Sequence, residues 1–185
     1  MNKVLISALV CSAILSASSA FAESGKVNFK GNILDNACEV TTDTKDQTVV
    51  LGDVAKTEFN NAVGVTAAPK AFDIKLQNCP DATTIGHAEV AVRFDGTEEG
   101  NGYLKLGSNG ATSAATGVAI AIYNRADNSP VKLYEDSKSV AIDYAGGAQA
   151  GTATVPFIAR YISTSETVTA GQADSTALFT ISYLN

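Results

Sequence analysis

Apolar and polar residues alternate with a period of two in one segment after another of this chain. That is the pattern of strands with one buried face. In Gly25-Lys26-Val27-Asn28-Phe29-Lys30-Gly31 the small or apolar residues Gly25, Val27, Phe29 and Gly31 fall on one face and Lys26, Asn28 and Lys30 on the other. The spacing predicts a first strand from Val27 to Leu34 and a second over Thr48 to Leu51, closed by Gly52-Asp53. Phe72, Ile74 and Leu76 alternate until Asn78-Cys79-Pro80 ends the run, and Val90, Val92 and Phe94 alternate before an Asp95-Gly96 turn. Val118 to Tyr123 is a stronger run, stopped by Asn124 to Pro130. Val131 to Leu133, Val140 to Tyr144, Val155 to Ile162 and Ala177 to Leu184 complete the set.

Short strands separated by turn residues predict an all-β chain and a β-sandwich. No stretch reads as an amphipathic helix, and Ser108 to Gly117 and Ala148 to Ala153 read as small-residue loops. No repeat, charge block or long linker divides the chain, so one domain is expected. The chain begins and ends with strand patterns, the last one placing Ala177, Phe179, Ile181 and Tyr183 on one face. A one-faced arm at a terminus needs a sheet to complete. Either both terminal strands pair within one sandwich, or the arm joins the sheet of a neighbouring molecule.

Residues 1–22 read as a secretory signal peptide. Lys3 precedes an apolar stretch from Val4 to Leu15, and Ala20-Phe21-Ala22 fits a small-x-small cleavage site. The stretch is short for a membrane span, and no second one of about 20 residues follows. Removing 22 of 185 residues leaves 163, enough for a real core. It also removes Lys3, leaving 12 basic residues against 19 acidic ones, a net charge near −7. That balance argues against nucleic acid and anionic membrane surfaces as partners. Cleavage takes Cys11 away as well. The remaining Cys38 and Cys79 most simply form one disulfide in an oxidising compartment. Two cysteines and the lone His87 make no metal cluster, and there is no Cys-x-x-Cys redox motif. No metal and no cofactor are expected.

Nor does the chain offer a catalytic constellation. His87 in Gly86-His87-Ala88 reads as a loop residue, which leaves no Ser-His-Asp set. Glu98-Glu99 lies among Gly96, Gly100 and Gly102, and reads as a solvated loop rather than a rigid carboxylate pair. Glu135-Asp136 reads as a surface turn, and Asp43, Asp46 and Asp53 lack the spacing of a calcium loop. The expectation is a protein that is not an enzyme.

The ordered features resemble a family, the major structural pilins of chaperone–usher fimbriae, in particular the type 1-like group. They are the signal peptide, the Gly25-x-Val27-x-Phe29-x-Gly31 arm, Asp35-Asn36-Ala37-Cys38-Glu39-Val40, Phe72-x-Ile74-x-Leu76-x-x-Cys79, Pro156-Phe157-Ile158-Ala159-Arg160-Tyr161 and the alternating terminus near Tyr183. The resemblance implies an incomplete immunoglobulin-like β-sandwich lacking its final strand. A donor strand from a neighbouring subunit would complete it. Residues 23–34 would be the donor arm and 35–185 the pilin domain. Gly25, Val27, Phe29 and Gly31 would face the acceptor groove, and Ala177, Phe179, Ile181 and Tyr183 would line the strand that receives either an arm or a chaperone strand. The implied partners are identical or homologous pilin subunits, a periplasmic chaperone and an outer-membrane usher. The implied location is a fimbria on the cell surface, reached through the periplasm. Leu184 and Asn185 both follow Tyr183, where many relatives carry one residue. A minor adaptor or a single-domain adhesive subunit is the alternative function.

Overall fold

The computed structural model describes residues 25–31, 33, 37–81, 88–107, 110, 113–145 and 150–184. The expected signal peptide, His87 and Leu34 lie outside them. Of the described residues, 25–33 belong to one compact unit and 37–184 to a second, which holds two antiparallel sheets.

The second unit opens with β1 (Glu39–Val40), a short helix α1 (Thr42–Lys45) and a 3-10 turn at Lys56–Phe59. Strands β2 (Thr66–Pro80), β3 (Glu89–Gly96), β4 (Glu98–Gly100), β5 (Tyr103–Lys105) and β6 (Val118–Asn124) follow. After them come β7 (Pro130–Val131), β8 (Val140–Ala141), β9 (Ala150–Ser163) and β10 (Ala177–Leu184). The first sheet runs β1-β2-β9-β6-β5-β4, with β7 beside β6, and the second runs β10-β3-β8.

Alternation does the sorting. In β9, Ala153, Val155, Phe157, Ala159 and Tyr161 are buried, with Phe157 fully so. Phe72 and Phe157 from the first sheet meet Phe94 and Phe179 from the second. Their ring centroids are 5.4 Å apart for Phe72–Phe157, 5.0 Å for Phe94–Phe157 and 6.4 Å for Phe94–Phe179. Offset and edge-on arrangements of this kind are the favoured aromatic contacts. The central strand β6 is buried on both faces. Val118, Ile120 and Ile122 enter the core, while Ala119 and Ala121 lie under Tyr103, Tyr123 and Ile162 on the other face.

Several expectations are corrected. Thr48 to Leu51 is not a strand: the Gln47 side-chain amide, rather than a strand backbone, reaches the Asp73 carbonyl of β2. Asp95-Gly96 is not a turn. Both residues pair with β10, and Thr97 alone carries the chain across to the first sheet. A Cβ on Gly96 would lie 2.6 Å from Leu104 Cδ2, so a larger residue at this crossing would push the buried Leu104 side chain aside. The Glu98-Glu99 segment is a hairpin strand rather than a loop. Asn101 and Gly102 both take positive φ between β4 and β5, the geometry of a two-residue hairpin turn. Residues 150–153 belong to β9, paired with the end of β2, rather than to a loop. Of the Val140 to Tyr144 run, only Val140–Ala141 forms a strand, helped by a bridge between Asp143 and Thr152. The Val131 to Leu133 run shrinks to Pro130–Val131. Gly25–Gly31 is not a strand, so the described part of the first predicted strand, Val27 to Leu34, is irregular within its own unit.

Candidate strand-acceptor edge

Strand β10 is the site the sequence pattern singled out, and it forms over the predicted residues. It pairs with β3 in an unbroken eight-residue register from Ala177↔Gly96 to Leu184↔Glu89. On its other side it pairs with no strand among the described residues. Ala177, Phe179, Ile181 and Tyr183 all turn toward the core, as the alternation requires, and all four are only half-buried. Their register partners on β3 are different: Val90 and Val92 are 0% exposed and Phe94 is 4% exposed. The inward face of β10 is therefore packed from beneath and from β3, and uncovered along its free edge. Half-exposed Phe179 and Phe72 flank the buried pair Phe94 and Phe157. Burying one such apolar side chain fully is worth roughly 1.5–3 kcal/mol, so this edge holds unrealised burial.

Tyr183 fixes one end of the edge. Its hydroxyl accepts the Cys38 backbone N–H at 2.6 Å, joining the last strand to the residue preceding β1. Burial pushes the Tyr183 hydroxyl above its usual titration range, and the hydrogen bond from Cys38 opposes that shift in part. Cys38 and Cys79 form a disulfide across a separation of 41 residues. The end of β10 is thus tied through Cys38 to the end of β2. On the outward face of β10, Leu178 is 73% exposed, and Ser182 donates to Asp136 at 2.7 Å. The strand carries no charge and no proline.

The predicted arm residues are presented to solvent. Val27 is 75% exposed, Phe29 92% and the neighbouring Ile33 102%. Exposed apolar residues at alternate positions with no sheet of their own are unusual in a soluble chain. Phe72 and the Cys38–Tyr183 hydrogen bond were missed as parts of the edge. Phe72 stood within a visible alternating run, but its place at the open side depends on how the two sheets meet. Among the described residues no group of three or more potential metal ligands occurs. Glu98, weighed as catalytic, and Asp43, weighed as a calcium ligand, both have structural partners. Glu98 accepts the Gly102 N–H at 2.7 Å, and the Lys75 ammonium at 2.8 Å holds the exposed Asp43 carboxyl below its usual range.

Residues 27–184 match the family described as Fimbrial protein. The chain belongs to the fimbrial protein family. This fimbrial subunit is 41% identical over 190 residues to the type-1 fimbrial protein subunit of Serratia marcescens, covering 99% of both chains. It is 35% identical over 185 residues to the long polar fimbria protein A of Salmonella typhimurium, covering 99% of this chain and 98% of that one. Its fold matches that of the P pilus rod subunit PapA with a TM-score of 0.63 at 22% identity, over 80% of this chain and 100% of the other. The two facing sheets with an uncovered last strand are the incomplete immunoglobulin-like sandwich of pilins.

Proposed function

We propose that this fimbrial subunit polymerises into the shaft of a surface fimbria by strand donation. The arm at residues 23–34 of one copy seats along β10 of the next. Main-chain hydrogen bonds along the free edge hold it, and Val27 and Phe29 cover the half-buried face of Phe179, Ile181 and Tyr183. Strand addition of this kind is known for chaperone–pilin complexes. The observation that carries the reading is the contrast along β10: four inward apolar side chains half-exposed beside a partner strand whose inward side chains are buried. Before assembly, a periplasmic chaperone would cover the same edge, and an outer-membrane usher would exchange its strand for the arm. Residues 23–34 then act as a donor segment and 35–185 as the pilin domain.

Phe29→Asp tests the reading. It places a carboxylate where an apolar groove must cover it, which is strongly unfavourable without a partner for the charge. The variant is expected to co-purify with the chaperone at the native level and to yield few or no surface fibres. Lys30→Asp, on the opposite face, should assemble nearly normally. Normal fibres from Phe29→Asp would remove the donor role. Loss of chaperone capture would place Phe29 in the subunit's own core instead. Subunit stoichiometry in sheared fibres, measured by mass spectrometry, separates a shaft subunit from a minor adaptor or adhesive one.

A further inference from the structure

The backbone hydrogen bonds that hold an added strand do not themselves distinguish one free edge from another, whatever its side chains prefer. This fold has several. Among the described residues, β1, the first half of β2, β4, β7 and β8 all present an unpaired side, as β10 does. We propose that the competing edges are individually closed, and that Ala68-Pro69 on β2 and Glu98-Glu99 on β4 are the closing residues. The inference rests on the reading of β10 as the acceptor edge and adds to it what directs an arm there alone.

The closures differ in kind. On β2 the register with β9 jumps between Ala67 and Lys70, so Ala68 and Pro69 form a bulge opposite Arg160. Ala68 takes a φ of 50°, a conformation unfavourable for alanine, and Pro69 has no N–H to offer an incoming strand. A bulge also bends the strand away from a straight partner. On β4 the register with β5 jumps between Glu98 and Gly100, and both glutamates are exposed. The edge is three residues long, bulged and charged. β1, β7 and β8 are two residues each, too short to template a strand. Among the edges of the described residues, only β10 combines eight residues, an unbroken register, no charge and no proline. These are the devices by which sheet proteins avoid unwanted edge pairing, and each of these competing edges carries one.

The test uses fibres assembled from the mature chain and a fluorescent synthetic peptide of residues 23–34. Wild-type fibres have their β10 edges filled and should bind peptide only at fibre ends, far below one per subunit. Pro69→Val restores a backbone N–H within the β2 bulge, and Glu99→Val removes from the separate β4 edge a carboxylate that pairs with Lys105 at 3.7 Å. Each is expected to raise bound peptide at least tenfold per subunit and to bundle fibres side by side in electron micrographs. Binding at the wild-type level by both variants, in fibres that form normally, would overturn the proposal. If Pro69→Val fails to assemble, Glu99→Val alone decides. A failure of the underlying reading is recognised separately: a Phe29→Asp peptide would then bind the unassembled subunit as well as the native peptide does, whatever the edge variants do.

Discussion

Ser163 shows how a single side chain sets the geometry at the end of the longest sheet contact. It closes β9 and is 1% exposed. Its Oγ accepts the Val65 N–H at 2.9 Å and donates to the Ala62 carbonyl at 2.5 Å, clasping the segment that leads into β2. Replacing it with alanine leaves that backbone donor without its side-chain acceptor, and an unsatisfied buried donor costs about 1–3 kcal/mol. Ser163→Ala should therefore lower the guanidinium unfolding free energy by that amount. Ser182→Ala, which loses only an exposed bond to Asp136, should change it by less than about 0.5 kcal/mol. Equal effects would mean that the loop before β2 repacks around the gap. The sequence offers little to separate these two serines, since both lie among alternating apolar residues. Only their surroundings, one at a strand end under a loop and the other on an outer face, make them unequal.

Among the elements, β10 was readable to both its ends because its alternation is regular and no side chain in it prefers a turn. Elements whose pattern depends on a neighbour were not readable. Residues 150–153 look like a loop because they are small. Gly151 among them has no side chain because a Cβ there would lie 2.5 Å from Ile142 Cγ2 and 2.7 Å from Tyr144 Cε1. Thr48 to Leu51 has strand-forming residues but no strand to pair with, since a side chain occupies the β2 carbonyl beside it. Asn101-Gly102 carried a hairpin signal that the surrounding glutamates and glycines obscured. The same reasoning argues that β10 is under-satisfied as an element. Joining a second copy of residues 23–34 to the C-terminus through a flexible linker should cover Phe179, Ile181 and Tyr183. Covering the remaining half of those three side chains and burying Val27 and Phe29 is worth roughly 5–10 kcal/mol before the cost of ordering the added strand. The extended chain is expected to be monomeric and to melt at least 10 °C above the chain without the added strand. Indistinguishable melting of the two proteins would mean that the edge is already covered.

For the second compact unit, stability depends on how its open side is held while no strand fills it. The Cys38–Cys79 disulfide sits at that point. Glu39 pairs with Gln77 next to it, and the Cys38 N–H is bonded to the Tyr183 hydroxyl, so one cross-link serves β1, β2 and the end of β10 together. β1 is only two residues long, too short to keep the chain before it in place by its own ladder. Closing a 41-residue loop in the unfolded chain is worth about 4 kcal/mol on the chain-entropy account. That is a large share of the 5–15 kcal/mol typical of a whole domain. Cys38→Ser/Cys79→Ser should therefore lose about 4 kcal/mol in guanidinium unfolding. It should lose about the same when the C-terminal copy of residues 23–34 is present, because the added strand acts on the folded state and the loop-closure entropy belongs to the unfolded one. Tyr183→Phe should cost about 1 kcal/mol with the disulfide intact and close to nothing without it, since the Cys38 segment is then free to move. A Tyr183→Phe cost that is the same in both backgrounds would show that the disulfide and the tyrosine act separately, and that the end of β10 is fixed by packing of its side chains alone.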